Sequence, residues 1–210
     1  MLTVGVDDAA VESALVGGLL ACPVPGCGGR LRPWGWARKR VVRGLVGKLR
    51  PRRSVCAGSC RGTHVLLPAS VLLRRADAVV VIGAGLLAAA GGAGYRQAAA
   101  AVGVPGSTVR GWLRRIGEVA DRVFAVLGVA AAVFGTEFLP PAPTAGRVGQ
   151  VVEMLGALGR AVGRRLGGSP SPWRLASAVT NGGLLAPGGP DLVLGVGYPI
   201  NTNSLLAAGG

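Results

Sequence analysis

From Ile116 to Phe134 apolar residues return at helical spacing, with Val119, Val123, Val126 and Leu127 on one side, and the pattern predicts an amphipathic helix. Prolines 140, 141 and 143 break it. A second stripe, Val151, Val152, Leu155, Leu158 and Val162, predicts another helix over 147–166. Two such helices should pair with each other or with a second copy of the chain, so a homodimer through these helices is one expectation. Upstream, 73–92 reads as a Gly- and Ala-rich support helix able to pack closely, and 95–115 as two shorter helices around a glycine. After Pro170 and Pro172 the period is lost. Residues 181–210 are rich in Gly, Leu and Asn, and a flexible, low-order tail is expected over 169–210.

The 210 residues suffice for one ordinary domain or two to three small modules. Half are apolar, yet only 4% are aromatic and 37 are Gly, so the core should be small and shallow. Charge changes the picture more. Lys and Arg total 23 against nine acids, a net +14 that argues against a near-neutral metabolic enzyme and for a densely anionic partner, nucleic acid before membrane. The cations are not spread evenly. Residues 1–21 hold Asp7, Asp8 and Glu12 and no cation; Cys22 to Arg75 hold 13 cations and no acid; Arg96 to Arg115 hold four more and no acid. A merely solvated face would mix the signs.

Two apolar runs test the membrane reading. ALVGGLLAC, residues 14–22, looks like a signal region, but the residues before it are acidic where a signal needs positive charge. The uncharged stretch 78–95 is 18 residues long with five Gly, short of the about 20 apolar residues a spanning helix needs. The expectation is a cytoplasmic, nucleoid-associated protein with no membrane contact.

All four cysteines share one window, Cys22-x4-Cys27, 28 residues, then Cys56-x3-Cys60. Two close pairs flanking a basic, Trp-containing stretch suit a zinc ribbon, where each pair gives two thiolates from one turn and four thiolates close a tetrahedral structural Zn2+ site. The spacings are wider than the usual C-x2-C. Two disulfides or four unrelated thiols are the alternatives, and disulfides would need an oxidising compartment. His64 could replace one thiolate, but packing against the sheet suits it better. Between the pairs, Arg38, Lys39, Arg40, Arg43, Lys48, Arg50, Arg52 and Arg53 are too many to bury and should meet phosphates. Trp34 and Trp36 alternate with cations on one face of a short strand, and serve as the ribbon's small core more readily than as base-stacking platforms.

Residues 79–88 invite an enzyme reading: Val79 to Ile82 as a strand, then Gly83-Ala84-Gly85-Leu86-Leu87-Ala88, a G-x-G-x-x-A dinucleotide turn. The second strand ending in an acid about 20 residues on, which would complete it, is missing. A helix-turn-helix covers more of the chain. Ala99 lies four positions before the turn glycine Gly103, and Ala98, Val102, Val104, Val109 and Trp112 take inward positions. Pro105 stops the first helix, and Gly106 or Ser107 can cap the second. The outward residues are Gly106, Ser107, Thr108, Arg110, Gly111 and Arg114, with Arg115 beside them, a face that can enter a major groove.

The paired cysteines, PWGWARKR, RPRRS, THVLLPASVLLRRADAV and GVPGSTVRGWLRR cover most of residues 22–115. In these stretches the chain resembles a functionally uncharacterised bacterial family that joins a zinc ribbon to a transposase-like helix-turn-helix. The later PWRLASAVTNGGLLA and NTNS look similar to its tail. The cysteine spacings depart from that family's C-x2-C pairs. The resemblance implies double-stranded DNA binding, as a regulator associated with a mobile element, and no established reaction. A transposase fragment or accessory subunit lacking its catalytic domain is the nearest alternative.

No catalytic constellation stands out: Glu118, Asp121, Glu137, Glu153 and Asp191 are scattered, without the carboxylate cluster that metal-assisted strand transfer needs. The expected protein is therefore not an enzyme. It is mainly α with a small N-terminal β zinc ribbon: an N-terminal segment (1–21), the ribbon (22–68), a homeodomain-like helix-turn-helix (69–117), a helical pair (118–168) and the tail (169–210).

Overall fold

The structure, a computed structural model, describes residues 1–134 and 146–190. Its elements in chain order are β1 (Leu2–Val4), α1 (Asp8–Val16), β2 (Leu31–Trp36), β3 (Arg40–Val41), β4 (Lys48–Leu49), β5 (Arg52–Cys56) and β6 (Thr63–Pro68). Five helices follow: α2 (Val79–Ala90), α3 (Tyr95–Val102), α4 (Gly106–Val133), α5 (Arg147–Leu166) and α6 (Pro172–Val179). The strands make a four-stranded sheet in the order β1-β6-β5-β2 and a separate β3-β4 pair. β1 runs parallel to β6; the other neighbours are antiparallel. Six helices beside a small N-terminal sheet make a mixed α/β chain.

Residues 1–21 do not stand apart from residues 22–68. β1 pairs with β6, Leu2 opposite Leu66. Asp7 caps α1 by accepting from the amides of Ala9 and Ala10 at 2.9 and 3.1 Å. Leu15 and Leu20 then fill a small core with Leu31, Cys56 and Leu66. The signal-like run 14–22 is thus the end of a capped helix and part of a core.

The helices share a larger core. Val109, Trp112, Ile116, Val119 and Val123 are buried along one side of α4, which runs 28 residues without interruption. The predicted second short helix and the first member of the helical pair are therefore one element, because no proline or turn glycine separates them and the apolar stripe continues. α4 and α5 bury their stripes in a common cluster with Leu86 of α2 and Leu175 of α6, so the faces that suggested a homodimer are occupied within the chain. The prolines at 140–143 lie outside the described residues. Among the described residues no helix is long and apolar enough to cross a membrane.

Two further expectations need correction. The support helix begins at Val79, not residue 73. Residues 73–74 form a turn and 77–78 are bridged to the loop between β3 and β4, with the Arg43 amide donating to Ala76 O and the Ala78 amide to Arg43 O, each at 2.8 Å. Residues 170–190 are not a low-order tail: Leu175, Ala176, Ser177 and Leu185 are fully buried. Pro172 starts a helix instead of ending one: it occupies the first turn of α6, where a missing N–H costs nothing. This segment ties the sheet to the helices. Ser177 Oγ donates to Val71 O at 2.8 Å, the Leu73 amide donates to Gly182 O at 2.9 Å, and Asn181 Oδ1 accepts from the Thr3 amide at 2.6 Å. Residues 191–210, including the rest of the expected tail, lie outside the described residues.

The helix also decides between the two readings of the glycine fingerprint. Val79 to Ile82 are helical, so the strand that a dinucleotide turn requires is not there. Gly83 and Gly85 instead seat indoles: a Cβ on Gly83 would clash with the ring of Trp173, and one on Gly85 would lie 3.1 Å from Trp112. Gly83→Ala should therefore destabilise the protein by about 1–3 kcal/mol through overpacking. Gly85→Ala should cost less, its tighter contact offset by up to about 1 kcal/mol of helix propensity. Urea unfolding of both variants checks this order; equal midpoints for Gly83→Ala and wild type would unseat Trp173.

Candidate metal centre and nucleic-acid interface

Two loops bring the cysteines together. In the first, the Cys22 amide donates to Gly29 O at 2.8 Å and the Cys27 amide to Val24 O at 3.1 Å, while Gly26 and Gly28 take left-handed φ of 72° and 60°. In the second, Cys56 ends β5, and its amide donates to Gly62 O at 2.9 Å as the chain turns through Cys60 into β6. Cys22 and Cys60 Sγ lie 3.5 Å apart, as do Cys27 and Cys56, and all four sulfurs fall within 4.8 Å of one another. A disulfide needs about 2.0 Å. A tetrahedral ion with metal–sulfur bonds of about 2.3 Å sets its sulfurs about 3.8 Å apart, within the observed spread. The four cysteines could hold a metal ion.

The backbone favours thiolates here. Every sulfur receives the amide two residues on: Val24 to Cys22 at 3.5 Å, Gly58 to Cys56 at 3.2 Å, Gly62 to Cys60 at 3.4 Å, and Gly29 to Cys27. The Cys60 and Gly29 amides pull the Cys27 thiol down to about 6, whereas burial pushes Cys22 up to about 12 and raises Cys56. Four donors aimed at four clustered sulfurs suit anions that share a cation. The wider first loop turns at residues 25–26, just before Cys27. Gly29 and Gly58 touch back to back: a Cβ on Gly29 would lie 2.5 Å from Cys56 Sγ, and one on Gly58 would lie 2.7 Å from Gly29 Cα. His64 is buried on β6 with Nε2 3.7 Å from Cys22 Sγ, packed beside the tetrad rather than within it, and burial lowers its pKa.

The cations between the cysteine pairs fall into two groups. Arg38, Lys39 and Arg50 are exposed, and Arg53 is half-buried on β5. Others are engaged internally. Arg40 donates to Arg75 O at 3.2 Å, and Arg43 pairs with the buried Asp77 at 2.7 Å. Arg52 departs most from its expected phosphate role. Its Nε and Nη2 donate to the two oxygens of Glu12 at 2.8 and 2.9 Å, and its Nη1 donates to Gly35 O at 2.7 Å. Its guanidinium covers Trp36 at 4.8 Å, and its side chain is only 14% exposed. The Arg52 hydrogen bond holds the Glu12 carboxyl below its ordinary pKa. Arg52 joins α1 to the sheet, through a partner 40 residues away that no local pattern reveals.

The two tryptophans also depart from expectation. Trp34 and Trp36 are 60% and 49% exposed, so neither forms a ribbon core. Nor do they share a face. Pro33 pairs with Ser54, Gly35 with Arg53 and Trp36 with Arg52, which leaves Trp34 as the extra residue of a β-bulge. Alternation then puts Trp36 on the α1 side with Ser54 and Cys56, and Trp34 on the opposite side with Arg53.

Around α3 and α4, Ala98, Val104, Val109 and Trp112 of the predicted inward residues are buried together with Ala99, Val102 is half-buried against the same core, and Gly103 turns the chain at φ 66°. Outside, Tyr95, Ser107, Arg110, Gly111 and Arg114 line one shallow depression, with the Arg96 guanidinium 5.6 Å from the Tyr95 ring. Tyr95 and Arg96 were not among the predicted contacts; their position in the first turn of α3 was the available signal. Ser107 and Arg110 are exposed, whereas Thr108 is half-buried. Arg114 is 72% exposed, 3.7 Å from Glu118; Arg115 is 27% exposed and pairs with Glu118 at 2.7 Å, turned off this face. Pro105 stands at the N-cap of α4 with no side-chain cap, so neither Gly106 nor Ser107 fills that role. Among the described residues the cysteines are the one metal-competent cluster; Glu118, Asp121 and Glu153 do not gather.

Freshly purified, reduced protein should hold about one metal ion per chain by elemental analysis, because four thiolates close one tetrahedral site. Cys56→Ser and Gly29→Ala should both lower that stoichiometry, while the helical circular dichroism persists, since the cysteine core shares no residue with the helical core. Full metal content in Gly29→Ala would mean that the two loops do not meet as described.

Comparison with protein-family models, with curated proteins and with solved structures finds no match for this chain.

Proposed function

We propose that this chain is a zinc-bearing, non-enzymatic DNA-binding protein that reads duplex sequence with the first turns of α4. One observation carries the reading: Ser107, Arg110 and Arg114 line the outer side of a helix start whose inner side is locked by Val109 and Trp112. Gly106 and Gly111 keep that outer side low, so a helix of this profile can approach base edges in a major groove. Arg110 and Arg114 stand one turn apart, and an arginine fork matches guanine O6 and N7. The chain-wide excess of cations supports an anionic partner, and Arg38, Lys39 and Arg50 supply phosphate contacts away from α4. Zinc suits the four-thiolate set, which is soft, closed and without a position for water, so the metal's role is structural. The family resemblance points the same way, to a regulator linked with mobile DNA.

Arg110→Ala should cost about 1–3 kcal/mol of discrimination between a selected site and a scrambled one, leaving the salt dependence nearly intact. The Arg38→Ala, Lys39→Ala double variant should weaken both duplexes alike and flatten the log–log salt slope by up to about 1.8. Titrations at several salt concentrations measure both. If the double variant loses discrimination and Arg110→Ala keeps it, the reader is the loop before β3 and the proposal fails.

A further inference from the structure

We infer that the β2–β5 part of the sheet face opposite α1 is a second nucleic-acid site, one for an unpaired strand, with Trp34 as its base-stacking platform. The inference goes beyond the duplex reading and uses neither α4 nor Arg110. Trp34 is held outward by a β-bulge, and bulges re-aim side chains. The bulge requires Gly35 at φ 143°, a region that side chains rarely adopt. Trp112 and Trp173 both pack against α2 glycines, and Trp36 lies beneath the Arg52 guanidinium; Trp34 presents an indole with no cation over its ring among the described residues.

The surroundings specify the ligand. Strand register puts Arg32 and Arg53 on the same side as Trp34, with Val55 and Thr63 beyond them. Arg32 and Arg53 make no ion pair among the described residues, so this face offers positive charge around one planar ring. A duplex gains little from an indole, because its bases already stack on each other. An unpaired strand gains both contacts, with a base on Trp34 and phosphates on Arg32 and Arg53.

A short oligothymidylate, free of secondary structure, is the probe. It is titrated into the full, metal-loaded chain and followed by tryptophan fluorescence and by anisotropy, beside a duplex of the selected site. Wild type should bind the oligothymidylate with quenching. Trp34→Ala should weaken that binding by roughly 5- to 150-fold, and Trp34→Phe should restore part of it. Neither variant should change duplex affinity, and Arg110→Ala should leave oligothymidylate binding as it was. Failure of wild type to bind the oligothymidylate overturns the inference, as does equal loss on both probes in Trp34→Ala. Loss of duplex discrimination alone bears on α4 and not on this face.

Discussion

Nine carboxylates cannot neutralise 23 cations, so the placement of each acid decides which arginines become structural and which face outward. Glu12 takes Arg52, and with it fixes α1 against the sheet. Asp77 takes Arg43, and with it holds the β3–β4 pair at the entrance to α2. Glu118 draws Arg115 off the outer face of α4. The candidate duplex-reading residues lie where no acid reaches closely: Arg110 makes no ion pair among the described residues, and Arg114 only a long one. Because exposed pairs contribute little to stability in water, the value of this distribution lies in geometry.

Glycine resolves the other shortage, that of large apolar side chains. The core is dominated by Val, Leu and Ala, and Trp112 and Trp173 each lay one side of the indole against an α2 glycine. The same device acts at the cysteines, where Gly29 and Gly58 let two backbone loops touch. Residues that composition alone would assign to flexibility are thus the close-contact points of both cores.

The helices around Gly103, the α4 and α5 stripes and the gathering of the cysteines were legible in the sequence, because each is a local pattern of period or spacing. Three features were not. Arg52 reads as one more cation in a basic run until Glu12, distant in sequence, comes beside it. Trp34 and Trp36 read as one face because strand alternation assumes no bulge, and the bulge appears only in the pairing with β5. Residues 170–185 read as a tail because Pro172 and the dense glycines hide an eight-residue helix whose buried face is only Leu175, Ala176 and Ser177. In each case the missing information was a partner far along the chain.

The hydrogen bond from the Thr3 amide to Asn181 spans 178 residues, and it has a consequence for the order in which the protein is made. At about 5–20 residues per second, roughly ten to forty seconds separate the synthesis of its two ends. β1 can lie along β6 as soon as residue 68 has emerged, but the loop that fixes it arrives only after all the described helices have been translated. Through that interval the first strand is a replaceable one, and β6 keeps an edge that another chain could occupy. A nascent chain of this topology therefore gains from early closure of the cysteine loops, which stiffens the neighbouring strands long before the late clasp can form.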